Sequence, residues 1–247
     1  MQQIEIKIEK HDFRTNEAFK TLRTNIEFAG EDIQIIGLTS ATPNEGKSTI
    51  SFELARSFAE GGKRTLLIDA DLRKSVMRSR YKMGKVRYGL TNVLVKKVEV
   101  EDAICETDIP DFHMIFAGPV PPNPSELLGG KSFKRMIEYG RENYDIVIID
   151  APPIGSVIDA AVISKKCDGM MIVIESGAIS YRFARKMVEQ LKVADARILG
   201  VILNKVNMSG KGYYGKYYGR YYGRYYGKYY GKYYGNYYGH GDENDSE

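Results

Sequence analysis

A chain of 247 residues, 43% of them hydrophobic, is long enough for one domain with a well-buried core, and a formal net charge of +4 is too small for a broad nucleic-acid face. Two cysteines, Cys105 and Cys167, and three histidines, His11, His113 and His240, stand too far apart to suggest a disulfide framework or a metal cluster. The start MQQIEIKIEK has no signal-peptide core, and the longest apolar runs, such as MMIVI at 170–174, are far too short to span a bilayer, so a soluble cytosolic α/β protein is expected.

The first predicted element is a helix over Phe13–Phe28, with Phe19, Leu22 and Ile26 on one face. From Ile33 to about Val206, short apolar runs then alternate with helical patterns. The runs are IQIIGLTS, TLLIDAD, FHMIFAG, YDIVIID, GMMIVIE and ILGVILN. They are rich in Ile, Val and Leu and continuous rather than alternating, as strands buried on both faces of a parallel sheet are. Helices are expected at Lys47–Glu60, roughly Ser125–Tyr139, Val157–Lys165 and Ser180–Val193. Ser125, after Pro124, reads as an N-cap, and Gly129–Gly130 interrupts that helix without an evident reason. Strand–helix repetition implies right-handed crossovers and a doubly wound, mostly parallel sheet, with ligands beyond the carboxyl ends of its strands.

The stretch ATPNEGKST at 41–49 follows the first of those strands and opens a helix. It matches the phosphate loop G-x-x-x-x-G-K-[ST], except that Ala41 replaces the first glycine. Asn44, Glu45, Gly46, Lys47, Ser48 and Thr49 are the expected ATP-binding residues. Gly46 lets the backbone approach the phosphates, Lys47 would reach the β- and γ-phosphates, and the Ser48 hydroxyl would ligate Mg²⁺. Two further sites support this reading. LLIDADLR puts Asp69 and Asp71 just past one buried strand, and DIVIIDAPP ends another in Asp150. Each alone could be a strand-end cap, but with the phosphate loop they read as the carboxylates that hold a nucleotide-bound metal, directly or through water. Ser48, Asp69 and Asp150 form the expected metal set. Asp71 is assigned to accept the acceptor's proton and Asp69 to the metal shell, although the two roles could be exchanged. Asn204, past the last strand, is assigned to the base; Asn207 stands where a guanine-reading N-K-x-D pattern needs an acid, so GTP is not indicated.

After Lys211 the sequence repeats with period four: Gly, a basic residue or Asn, Tyr, Tyr. With glycine at every fourth position and no aliphatic residues, residues 211–239 cannot bury enough to offset their ordering entropy, and they are expected to be disordered. They carry seven tyrosine pairs: Tyr213 and Tyr214, Tyr217 and Tyr218, Tyr221 and Tyr222, Tyr225 and Tyr226, Tyr229 and Tyr230, Tyr233 and Tyr234, Tyr237 and Tyr238. Six cations, Lys211, Lys216, Arg220, Arg224, Lys228 and Lys232, are interleaved with them, and residues 240–247 form an acidic end.

The phosphate loop with its strand-end aspartates resembles the deviant P-loop ATPases. The signature lysine of their partitioning and division-site members is replaced here by Thr42, which counts against that branch. Across ATPNEGKST, LLIDADLR, IIDAPP, PPNPSELL at 121–128 and the tyrosine-rich tail, the chain resembles the cytoplasmic domain of the bacterial tyrosine kinases of capsule and exopolysaccharide synthesis. The resemblance implies a kinase domain over 1–210, ATP and Mg²⁺ as cofactors, the fourteen tail tyrosines as phosphoacceptors in trans, and a cognate phosphotyrosine phosphatase. With no transmembrane span ahead of the domain, it is similar to the split form of Gram-positive bacteria, which a separate membrane-anchored adaptor activates at the inner face of the cell membrane. The family pattern E-x-x-R-x-x-R, used for ring-like self-association, falls on the 14–28 helix as Glu17, Lys20 and Arg23; Lys20 stands in an arginine's place and cannot fork onto a carboxylate.

Two rivals come from other classes. A nucleic-acid module would stack bases on the tail's tyrosines and lose salt-sensitive oligonucleotide retention without 211–247. A positioning-type ATPase switch would turn over ATP without making phosphotyrosine.

Overall fold

Each of the six apolar runs contributes a strand to one sheet. In chain order the elements are β1 (Gln2–Ile4), α1 (Phe13–Glu27), β2 (Ile35–Ser40), α2 (Lys47–Glu60), β3 (Thr65–Asp69), α3 (Met77–Arg80), α4 (Leu90–Leu94), α5 (Val100–Ala103), β4 (Cys105–Thr107), β5 (Phe112–Ile115), α6 (Pro124–Gly129), α7 (Lys131–Asn143), β6 (Ile146–Asp150), α8 (Asp159–Ser164), β7 (Gly169–Glu175), α9 (Tyr181–Val193) and β8 (Ile198–Asn204). The computed structural model describes residues 1–7, 11–81, 84 and 86–207. The tyrosine-rich and acidic segments, and the disorder expected of them, lie outside the described residues. Met1–Asn204 form one compact unit.

The sheet has eight strands in the order β1-β4-β5-β3-β6-β2-β7-β8. Neighbours run parallel except β4 and β5, which are antiparallel. Alternate strand residues feed two hydrophobic cores, one on each face, as the period of two requires. Ile35, Leu66, Ile68, Val147, Ile149 and Ile172 pack with α6, α7, α8 and α9, through Leu128, Phe133, Ile163 and Leu191. Ile36, Leu38, Leu67, Ile148 and Val173 pack with α1 and α2, through Ile26, Phe52, Leu54 and Phe58. The predicted face of α1 is the one that packs, with Phe19 and Leu22 against that second core. Phe52 stacks on Tyr81 at 3.9 Å between centroids and tilts against Phe112 at 5.4 Å. The doubly wound, mostly parallel sheet is therefore the observed one.

Besides the short helices α3, α4 and α5, which were not expected, three features differ from the sequence reading. The edge strands β1 and β4 are three residues each, too short to stand out as apolar runs. The helix expected over about 125–139 is two helices, α6 and α7, because Gly130 takes an extended conformation (φ −78°, ψ 171°) and serves as the N-cap of α7. Ser125 is not the N-cap. Pro124 occupies the first helical turn, where its fixed φ suits a helix start, and the cap moves back to Asn123.

Candidate active site

The carboxyl ends of the three adjacent central strands β3, β6 and β2 meet at one crevice. β2 runs into the phosphate loop, which turns through two left-handed residues, Asn44 (φ 70°) and Gly46 (φ 91°), before α2 starts at Lys47. Glu45 is buried, and its carboxylate accepts the Thr42 N–H at 2.7 Å and the Glu175 N–H at 3.4 Å, tying the loop to itself and to the end of β7. From the end of β8, the Asn204 amide donates to the Glu45 carbonyl at 2.8 Å. A methyl group added at Gly46 would collide with that amide nitrogen. The Glu45 side chain and Asn204 thus hold the loop's shape, a role the sequence reading did not assign to them. Its proposed base contact for Asn204 starts from this position.

Lys47 is buried, and its ammonium donates to Asp150 Oδ1 at 2.6 Å; Ser48 Oγ lies 3.3 Å from the same nitrogen. Ser51 Oγ donates to that Asp150 oxygen at 2.8 Å. The other carboxylate oxygen of Asp150 is buried without a hydrogen-bond partner. Asp69 pairs in register with Asp150 across β3 and β6 and is fully buried. Burial, followed by the negative charge of Asp150, raises its pKa to about 7, against the opposing pull of a Ser75 hydroxyl bond and of Lys47. Two buried carboxylates side by side, one with an orphaned oxygen, are what a divalent cation would relieve.

Asp71 is only part-buried. Its Oδ1 accepts the backbone N–H groups of Arg73 at 3.3 Å and Lys74 at 3.0 Å, a tight turn at the crevice rim. Thr49 shares its hydroxyl with the Arg80 guanidinium. Among the described residues no group of three or more His, Cys, Asp or Glu side chains could hold a metal on its own.

A family profile described as an AAA domain matches residues 33–199. The tyrosine-protein kinase CpsD of Streptococcus agalactiae is 45% identical over 208 residues, covering 82% of this chain and 91% of that protein. The chain belongs to the bacterial tyrosine-protein kinase family. The chimerical protein CapA2B2, solved by crystallography, superposes on this kinase-family chain with a TM-score of 0.73 at 36% identity, covering 77% of this chain and 84% of the other. The septum site-determining protein MinD of Pyrococcus horikoshii, complexed with Mg-ADP, shares the fold with a TM-score of 0.60 at 24% identity, covering 73% of this chain and 72% of its own. The fold is thus common to both proteins.

Family membership gives the crevice its context, and the remaining assigned residues lie away from it. On α1, Lys20 donates to Glu17 at 2.8 Å within the helix, and Arg23 donates to the Ser57 carbonyl near the end of α2. The three side chains thus stand on one helix, with Arg23 turned onto the protein's own α2.

One network of three residues has no counterpart in the sequence reading, which took Ser125 only as an N-cap. Arg73 forks onto the fully buried Asp159, with Nε at 2.7 Å from Oδ2 and Nη2 at 3.0 Å from Oδ1, and the Ser125 hydroxyl donates to the same Oδ1. The available signals were LLIDADLR, read only for its two aspartates, and PPNPSELL, quoted for its likeness without a physical reason.

Proposed function

We propose that this chain is an ATP-dependent protein-tyrosine autokinase whose acceptors are the tail tyrosines of a neighbouring copy. The observation that carries the reading is the buried Lys47–Asp150–Asp69 group beneath a phosphate loop, joined in one chain to seven tyrosine pairs on a glycine-rich string. Phosphoryl transfer asks a protein mainly for positioning and charge neutralisation. Lys47, now on Asp150, moves to the β- and γ-phosphates when nucleotide enters. Ser48, Asp150 and Asp69 are the residues that would hold Mg²⁺, which supplies further neutralisation of phosphate charge when bound. A phenol with a pKa of about 10 must lose its proton during transfer. Asp71, open at the rim, is the residue assigned to take it.

The tail has the reach for transfer in trans. In general a glycine-rich chain as long as 211–239, about 29 residues, averages roughly 30 Å between ends as a random coil and approaches about 100 Å at full extension. Repetition raises the local concentration of acceptors. Each phosphate adds about −1.5 to −2 charges, so roughly four offset the six basic residues and make neighbouring tails repel. Phosphorylation then loosens a ring-like homo-oligomer built through Glu17, Lys20 and Arg23, and a phosphotyrosine phosphatase resets it. Among the described residues no helix is long and apolar enough to cross a membrane. Recruitment to the inner face of the membrane would fall to an anchored adaptor, and the regulated process is capsular or exopolysaccharide synthesis, with further tyrosine substrates there.

The test is incubation with Mg-ATP and the adaptor's cytoplasmic segment, beside a Lys47→Met control, with phosphopeptides mapped by mass spectrometry. Phosphotyrosine at 213–238 in the wild type alone supports the reading. ATP turnover with every tail hydroxyl unmodified overturns it in favour of an ATPase switch.

A further inference from the structure

Asp159 is a buried carboxylate that the phosphoryl-transfer reading does not use. It starts α8, is fully buried, and accepts the fork of Arg73 and the hydroxyl of Ser125. Arg73 Nη2 lies 3.1 Å from Ser125 Oγ, which closes a three-membered network. Burial alone would raise the Asp159 pKa, but the bonds from Arg73 and Ser125 outweigh it and hold the carboxyl below its usual range. This is a committed ion pair with both oxygens satisfied, in contrast to Asp150.

The position of Arg73 gives the network its consequence. Its side chain is anchored on α8 and α6, while its backbone N–H is one of two donors to Asp71 Oδ1. Asp71 is therefore aimed by a residue whose own place is set from another strand-end loop and from the PPNPSELL segment. We propose that Arg73, Asp159 and Ser125 form a brace of positioning residues that aims the Asp71 carboxylate at the acceptor hydroxyl. The proposal rests on the kinase reading above for its acceptor. It explains why PPNPSELL carries a serine at 125, where the helix cap does not need one. A displacement of about 1 Å at a reacting group is enough to cost on the order of 100-fold in rate.

The experiment measures steady-state tail phosphorylation and, separately, Mg-ATP hydrolysis for Arg73→Gln, Arg73→Lys, Asp159→Asn, Ser125→Ala and Ser125→Thr. The brace predicts kcat lower by about 10–100-fold in Arg73→Gln and Asp159→Asn, with KM for ATP within about twofold of wild type. Arg73→Lys keeps the charge but loses the fork, and it behaves like Arg73→Gln. Combining Arg73→Gln with Asp159→Asn costs no more than the larger single change. Ser125→Ala gives a smaller loss, and Ser125→Thr, which restores the hydroxyl, recovers it. Ser125 is part-exposed, so this pair of variants keeps the test open if Asp159→Asn fails to fold. Wild-type kcat in the brace variants, or a KM for ATP that rises in step with the loss of kcat, overturns the proposal. Wild-type protein that makes no phosphotyrosine overturns the kinase reading instead, and the same split in Mg-ATP hydrolysis then decides the brace.

Discussion

The two ends of the central strand β2 carry the same chemistry, an aspartate beside a cation, and treat it in opposite ways. At the amino end, Asp168 Oδ2 accepts the N–H groups of Gln34 at 3.0 Å and Ile35 at 2.7 Å, and Arg141 forks onto both oxygens. Burial would raise its pKa, but the Arg141 and backbone bonds outweigh it and hold the carboxyl below its usual range. At the carboxyl end, Asp150 has one oxygen shared by Lys47 and Ser51 and the other with no partner, and Asp69 beside it is raised to about 7. A saturated carboxylate pins a strand; an undersupplied pair waits for a ligand.

Swapping the cations breaks the comparison most sharply. Lys47→Met should lower phosphotransfer by about 10³-fold or more, because the site loses the charge aimed at the transferred group. Arg141→Met should leave turnover per folded molecule near wild type and lower the melting temperature instead. Phosphotransfer assays and calorimetry on the same preparations check both halves. Loss of turnover in Arg141→Met with the nucleotide site still loaded would remove the distinction.

The carboxylates give the next effect. The folded pKa of Asp69 lies above its unfolded value, so its contribution to stability is complete below about pH 4 and is lost as pH rises through about 7. In metal-free protein at pH 8, Asp69→Asn should therefore raise the melting temperature, by on the order of 2–4 °C for each kcal/mol relieved, while phosphotransfer falls. Asp168 is depressed, so its contribution is present above about pH 4 and is lost as pH falls further. Asp168→Asn should cost about 1–3 kcal/mol at neutral pH, since it weakens bonds to two strand N–H groups and an arginine. Denaturant titrations at pH 8 with opposite signs for the two variants are the expected result.

Gly46→Ala sharpens the comparison at the loop itself. The added methyl meets the Asn204 amide in a left-handed position that disfavours side chains, so the loop must shift. ATP affinity should fall by roughly tenfold or more, read by nucleotide titration, with a melting temperature only a few degrees lower. Unchanged affinity would mean that the loop does not need the shape that Asn204 and Glu45 hold.

What could be read from sequence follows the range of the forces involved. The six runs that became β2, β3, β5, β6, β7 and β8 were legible because continuous burial writes itself into consecutive residues. Gly46, Lys47 and Ser48 were legible because a phosphate loop is local. β1 and β4 were not, since a three-residue edge strand owes its form to the neighbour it pairs with. The split at Gly130 was visible as glycine but not as a break, which only its extended backbone between α6 and α7 reveals. Lys47 and Asp150 were each identified, yet their contact joins residues 103 positions apart and depends on strand order. The Arg73–Asp159–Ser125 network was missed for the same reason. Asp159 stands far along the chain from Arg73 and Ser125, and only its burial and these two partners give it a further role.

The smallest predicted effect lies at the amino end of the sheet and concerns pH. His113 on β5 is largely buried, with Nδ1 2.8 Å from the Tyr144 hydroxyl and the two rings edge to face at 5.5 Å. Burial lowers its pKa, and Arg64, whose guanidinium lies 5.2 Å from the centre of the Tyr144 ring, lowers it further against Glu106 and Asp111. The folded protein therefore refuses a proton that the unfolded chain takes up as pH falls through about 6.5, and stability is lost on the acid side of that value. Between pH 7.5 and 5.5 the wild type should lose more stability than His113→Gln, which carries no titrating group at this position. Because His113 lies at the far end of the sheet from the phosphate loop, the pH dependence of phosphotransfer in the same window should be shared by the two proteins. Parallel stability curves for wild type and variant would show that the His113–Tyr144 contact tolerates the charge. A shifted activity profile would show that the two ends of the sheet are not as separate as their carboxylates suggest.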